Sequence, residues 1–231
     1  MKGRIVPVHS CTDAQTGEMY ALMAQHYDNT DEAVFRSDLM DKDYVLLLED
    51  DAGAVVGFTT QKLLSVPVDG QEVRGVFSGD TIIRQDLWGE PELFRVWAQF
   101  WFPYARQFEE FYWFLICKGY KTYRILPLFW QEFYPSRRAP VPERMQRIMD
   151  AYAGLLYPGD YNPATGVVEY LHSKDRLRPG VADLTPARLR NPDVAYFAKR
   201  NPGHVRGNDL VCLARIDRAC MKASAQRVLF R

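Results

Sequence analysis

FSGDTIIRQDLWGEPELF, residues 77–94, runs from a β-rich segment through a Trp88-Gly89 bend into a helical one. What lies upstream decides how its strand is used. In YVLLLEDDAGAVVGFTTQKLL two β-rich runs flank Asp50-Asp51-Ala52-Gly53, which predicts a hairpin. SVPVDGQEVRGVF repeats the pattern around an Asp69-Gly70 turn. Residues 77–83 therefore close an antiparallel meander of three strands. Further upstream, RIVPVHS reads as a first strand. Met19, Leu22, Met23 and His26 at helical spacing predict a helix over 12–27, capped by Thr12 or Asp13. A second helix is predicted over 30–40, with Asp31 and Glu32 in its first turn.

Downstream, Pro91 suits the first turn of a helix over 90–108. Leu93, Phe94, Val96, Trp97, Phe100, Trp101 and Phe102 surround it almost completely, so it is either deeply buried or lines an apolar cavity. Pro103 should kink or end it. FYWFLIC, 111–117, reads as a central strand buried on both faces. Gly119 then allows a sharp turn, and YKTYRILPLFWQEFY reads as a helix interrupted near Pro127. Nine of the 14 prolines fall between Pro135 and Pro202, which breaks that region into short pieces. VPERMQRIMDAYAGLLY is an amphipathic helix within it, and NDLVCLARI is a late strand.

The chain has 231 residues, 47% hydrophobic and 25% charged, with zero formal net charge. That length buries a core without disulfides, and no global field favours nucleic acid or a membrane. Residues 1–60 hold 11 acidic and 4 basic side chains, so the later part is basic, a balance suited to phosphates or an acidic carrier protein. Cys11, Cys117, Cys212 and Cys220 form no CxxC pair, and His9, His26, His172 and His204 lie at no metal-ligand spacing. No metal site is expected. No P-loop, GxGxxG, GxSxG or HExxH motif occurs. FYWFLIC is too short to span a bilayer, and no signal-peptide pattern opens the chain. The expectation is a cytoplasmic protein in a reducing compartment.

The order is strand, two helices, three antiparallel strands, helix, strand, helix and a late strand. With YVLLLEDDAGAVVGFTTQKLL, GVFSGDTIIRQDLWGEPEL and FYWFLICKGYKTYRILPLFWQEFY in those places, the chain resembles the GNAT acyltransferase superfamily as a divergent member. The resemblance implies an α/β fold, a mixed and mostly antiparallel sheet flanked by helices. Residues 1–134 would form the GNAT-like core. Residues 135–205 would be an irregular Pro-rich extension or lid packed on it, and 206–231 a late strand and C-terminal tail completing the sheet. The implied activity is N-acyl transfer from a thioester donor to a small amine or amino-acid-like acceptor. The alternative is a non-catalytic acyl or small-ligand-binding protein on a GNAT-like scaffold.

In that family the fourth and fifth strands splay, and the acyl-pantetheine arm lies between them. The resemblance therefore assigns Ile82, Ile83, Arg84 and Gly89 to binding acyl-CoA or acyl-phosphopantetheine. Glu90 and Pro91 depart from the family loop: one repels phosphate and the other lacks an N–H. A carrier-protein donor, with a single phosphate, would fit that departure. Lys118, Lys121 and Arg124 stand beside the cleft as phosphate ligands, Lys121 and Arg124 sharing a helix face. Arg137, Arg138, Arg144 and Arg147 could meet an acyl carrier protein's acidic helix. Asp80 is the expected base. Trp130 occupies the position closest to the family's acid, so that role shifts to Tyr123, with Tyr120 and Tyr134 also in view.

Overall fold

The computed structural model describes residues 1–171 and 175–230; His172 lies outside the described residues. The strands are β1 (Lys2–Pro7), β2 (Tyr27–Asp28), β3 (Tyr44–Glu49), β4 (Val55–Val68), β5 (Gln71–Ile83), β6 (Phe111–Cys117), β7 (Tyr161–Asn162), β8 (Val167–Val168), β9 (Arg176–Leu177) and β10 (Asp209–Arg215). The helices are α1 (Asp13–His26), α2 (Glu32–Met40), α3 (Glu92–Ala105), α4 (Tyr120–Tyr123), α5 (Ile125–Phe129), α6 (Glu143–Leu156), α7 (Pro186–Leu189), α8 (Pro192–Arg200) and α9 (Ala223–Leu229). Eight strands form one mixed sheet in the order β1-β3-β4-β5-β6-β10-β8-β7, while β2 and β9 pair separately. Only β5 and β6 run parallel; every other pair in the described residues is antiparallel.

Local chemistry accounts for the elements. Thr12 and Gln15 close a capping box at α1, and the Asp31 carboxylate accepts from Val34 N at α2. Asp69 and Gly70 both take positive φ, 53° and 77°, as a two-residue hairpin turn requires. β3 is apolar from Val45 to Leu48 because both its faces are covered. Leu46 and Leu48 pack with α3 through Trp97 and Trp101, while Val45 and Leu47 pack with α1 and α2 through Met19 and Phe35. β6 does the same: Trp113 and Leu115 face α3, and Tyr112 and Phe114 face α6 through Tyr152.

Pro103 sits inside α3, which ends two residues later at Ala105. The next helical stretch departs from expectation. It breaks at Arg124 into two short turns, Pro127 lies within α5, and Trp130 leaves to bridge Met221. The β7–β8 hairpin, α7, α8 and α9 have no counterpart in the sequence expectation.

Candidate active site

The site begins with a change of register. Thr59 lies opposite Thr81, but Gln61 lies opposite Ser78, so β5 carries one more residue than β4 across the same interval. Such a bulge bends the strand that carries it and interrupts pairing. The consequence appears on the other edge. β5 pairs with β6 from Arg74↔Phe111 to Ser78↔Leu115 and no further, although β5 continues to Ile83 and β6 to Cys117. Gly79 makes the bend possible, since a Cβ there would lie 2.5 Å from Thr60 Oγ1.

Two cavities occupy the parting. The larger, about 630 Å³, is lined by Ile82, Ile83, Phe94, Ile125, Phe129 and Leu177, with Lys121, Arg124 and Arg188 as its cations and Glu90 as its acid. The smaller, about 110 Å³, holds Asp38, Asp80, Asp175 and Asp209 against Lys42 and Lys118, with Phe77, Tyr157 and Tyr170 as aromatic walls. Tyr27, Thr81 and Thr122 line both, so the cavities meet where the strands part. A strap from the later sequence closes one side. Leu177 of β9 pairs with Tyr27 of β2, and Arg178 N donates to His26 O at 2.9 Å. Gly119 has an ordinary φ of −126°. Its small size is what matters, because a Cβ would come within 2.7 Å of Leu177 Cδ1.

The expected donor-binding residues divide. Ile82, Ile83, Gly89, Lys121 and Arg124 line the larger cavity. Arg84 does not; its guanidinium is held by Asp86 at 2.8 Å and approaches Asp50 at 3.6 Å. Lys118 lies in the smaller cavity. It donates to Gly207 O at 2.6 Å and Asp209 Oδ2 at 2.9 Å. In the bend, Leu87 N, Trp88 N and Glu90 N donate to Arg84 O, Gln85 O and Leu87 O. The first bond of α3 runs from Arg95 N to Pro91 O, and among the described residues no side chain caps the amides before it. Glu90, Pro91 and Phe94 place that uncapped end on the cavity wall.

The candidate base and acid also separate. Asp80 lines the smaller cavity beside the junction. Tyr123 is fully buried, and its hydroxyl donates to Pro135 O at 3.0 Å. Burial pushes its phenol far up, and it lines neither cavity. Tyr120 lines the larger cavity and takes a hydrogen bond from Arg188, while Tyr134 donates to Glu132 outside it. The tyrosine at the junction is Tyr27. Burial, then Asp80, Asp175 and Asp209, hold its phenol well above the usual range, so it keeps its proton at neutral pH. His26 lines the larger cavity beside Trp88, and among the described residues its buried Nε2 has no hydrogen-bond partner. Burial lowers its imidazole, with Lys121 adding to the effect.

Lys121 sits 3.4 Å from the centroid of the Trp88 ring, and burial lowers its ammonium. The expected basic face is largely paired within the chain. Arg137 binds Asp193, Arg144 binds Glu110 and Asp69, and Arg147 binds Asp69. All four cysteines are free thiols. Among the described residues no His, Cys, Asp or Glu cluster is arranged to hold a metal ion, and no helix is long and apolar enough to cross a membrane.

No protein-family model matches the chain, and no curated protein matches it. Solved structures do. A tetramutant protein from Bacillus halodurans is 15% identical, with TM-score 0.42, covering 61% of this chain and 99% of its own. A conserved protein from Enterococcus faecalis described as a probable N-acyltransferase is 16% identical, with TM-score 0.40; the match covers 58% of this chain and 33% of that one. A GNAT family N-acetyltransferase from Escherichia coli, solved with CoA, is 14% identical, with TM-score 0.39, covering 54% of this chain and 67% of that one. At such values no activity or ligand is carried over from these proteins. The fold itself is the mixed, mostly antiparallel sheet flanked by helices that the GNAT resemblance implies, and its parallel pair parts.

Proposed function

We propose that this GNAT-fold chain is an N-acyltransferase that moves an acyl group from an acyl-pantetheine thioester to a small primary amine by direct attack. One observation carries the reading. A large apolar cavity with cations and a small acidic one meet at the point where β5 and β6 part. The first suits a pantetheine arm beside a phosphate-bearing group, with Lys121 and Arg124 as its charge partners. The second suits an ammonium group, which is attracted to carboxylates and to the faces of Tyr157, Tyr170 and Phe77. Acyl-CoA is favoured over an acyl carrier protein, because three of the four arginines expected to dock a carrier are engaged with acids of this chain.

Each proton has a place in the scheme. The ammonium gives one to Asp80, directly or through water, and the neutral nitrogen attacks the thioester carbon. The C–N bond forms first, giving a tetrahedral intermediate, and the C–S bond breaks as that intermediate collapses. The departing thiolate takes the Tyr27 phenolic proton, which burial keeps in place until then. Asp80 then returns its proton to solvent, and the second proton that the nitrogen sheds as the amide forms goes back to the Tyr27 phenolate through water.

The test follows thiol release from acetyl-CoA and longer acyl-CoA esters with a panel of primary amines, alongside thermal stability with donor alone. Amine-dependent thiol release supports the reading. A melting shift without release leaves only a thioester-binding protein. Neither a shift nor release at millimolar donor removes the reading altogether.

A further inference from the structure

A buried polar network ends at the junction of the two cavities, and its hydrogen bonds have a fixed direction. Trp113 Nε1 donates to Ser78 Oγ at 2.8 Å, and Ser78 Oγ donates to Gln61 Oε1 at 3.0 Å. Trp97 Nε1 donates to the same oxygen at 3.1 Å. Indole N–H groups only donate, so the Gln61 carbonyl must face Trp97 and its amide nitrogen must face the other way. That nitrogen spends one hydrogen on Thr60 O at 2.8 Å and the other on Thr59 Oγ1 at 3.0 Å. Among the described residues Thr81 Oγ1, 2.8 Å away, is the partner left for the Thr59 hydroxyl hydrogen, which orients that bond towards Thr81. The Thr81 hydroxyl proton then has only Gly79 O, at 3.4 Å, as an acceptor among the described residues. That distance is at the limit of a hydrogen bond.

Resting on the acyl-transfer reading, we infer that the Thr81 hydroxyl is a catalytic hydrogen-bond donor to the oxyanion of the tetrahedral intermediate. Gln61 and Thr59 act as positioning residues that keep its proton pointing out of the network. The placement has three supports. Thr81 lines both cavities, so donor carbonyl and acceptor nitrogen converge beside it. It is the residue at which the bulge returns β5 to register, so its backbone is fixed by Thr59 across the ladder. The relay behind it is held in one sense: both hydrogens and the carbonyl oxygen of the Gln61 amide are engaged and Ser78 Oγ both accepts and donates, so turning the Gln61 amide round would leave the buried Trp97 N–H unpaired. Thr81 forms no covalent bond and gives up no proton; it donates as negative charge develops on the carbonyl oxygen and weakens its hold as the C–S bond breaks.

The experiment compares Thr81→Val, which removes the hydroxyl at nearly constant volume, with Thr81→Ser, which keeps it. The readouts are kcat with acetyl-CoA and an amine that the wild type accepts, and donor Kd by calorimetry. Thr81→Val should lower kcat about 100-fold with donor Kd changed less than about threefold, while Thr81→Ser stays within about threefold of wild type. A folded, donor-binding Thr81→Val with wild-type kcat overturns the oxyanion role alone. Equal losses in both variants also overturn it, because shape rather than the hydroxyl would then be responsible. A wild type that acylates no amine removes the acyl-transfer reading and the oxyanion role with it. The relay has its own readout in the resting protein: the Thr59 hydroxyl proton should exchange slowly and couple to Thr81. A protected Thr81 proton directed at Thr59 would refute the relay whatever the turnover.

Discussion

Replacing Lys118 by Met should destabilise the protein in a way that depends on pH. Lys118 lies against Asp209, which is 2% exposed, with Nζ–Oδ2 at 2.9 Å. Tyr170 OH donates to the same carboxylate at 2.8 Å, and Asp175 stands 3.7 Å from the ammonium. Burial raises the Asp209 carboxyl and Asp175 adds to the rise, while Lys118 and Tyr170 oppose it. Removing Lys118 leaves a buried carboxylate without its cation, a change that costs about 3–5 kcal/mol. For a chain of this size each kcal/mol moves Tm by roughly 2–4 °C, so the fall at pH 8 should be roughly 6–20 °C.

The sign with pH follows from linkage. A carboxyl raised in the folded state binds its proton more tightly there than in the unfolded chain. Its contribution to stability therefore falls as pH rises from the ordinary aspartate range through the raised folded value. Without Lys118 the folded value rises further and the window widens. The variant's deficit should be small near pH 4 and grow towards pH 8. Circular dichroism melts at several pH values measure it. Lys118→Met with Asp209→Leu should recover much of the loss, since an apolar pair of similar volume replaces the ions. Equal deficits at pH 5 and pH 8, or a deficit below about 1 kcal/mol, would refute a buried, mutually dependent pair.

Gly79→Ala should cost about 1–3 kcal/mol in urea denaturation, because its methyl meets Thr60 Oγ1 at 2.5 Å. Arg124→Ala should weaken acetyl-CoA binding about tenfold by calorimetry with stability unchanged, as expected for loss of one charge-assisted contact; unaltered affinity would take Arg124 out of the donor site. Tyr27→Phe and Asp80→Asn should each lower kcat about 100-fold or more. Tyr123→Phe should keep wild-type kcat and lose about 1 kcal/mol of stability with its bond to Pro135 O. Reversed outcomes for the two tyrosines would return the acid role to Tyr123.

The elements that the sequence declares are those whose chemistry is local. The Thr12–Gln15 box, the Asp69-Gly70 turn and the doubly covered β3 and β6 are legible because each depends on residues a few positions apart. The bulge is not legible in that way. It exists only as a mismatch between Thr59–Gln61 on one strand and Ser78–Thr81 on the next, and neither segment reveals it alone. Tyr27 and His26 read as the apolar end of a helix until β9, far along the chain, pairs beside them. Arg188 reaches the larger cavity by the same long-range route. Lys118 looked available because its partners, Gly207 and Asp209, come from the opposite end of the fold. The Arg84–Asp86 pair is only two residues apart and could have been suspected from that spacing.

The place of β10 in the sheet bears on how the chain is made. β6 is the most aromatic strand, and it holds β5 along only five register positions, Arg74 to Ser78. Its other edge is closed by β10 over Leu210↔Cys117 to Arg215↔Tyr112. During synthesis β6 leaves the ribosome long before Asp209 does. The growing chain therefore carries an apolar strand with an open edge, the kind of surface that invites association with other chains. Folding of the described sheet is completed only when the last quarter of the sequence arrives, so expression of a fragment ending at Tyr134 should yield aggregates rather than a smaller version of the same protein.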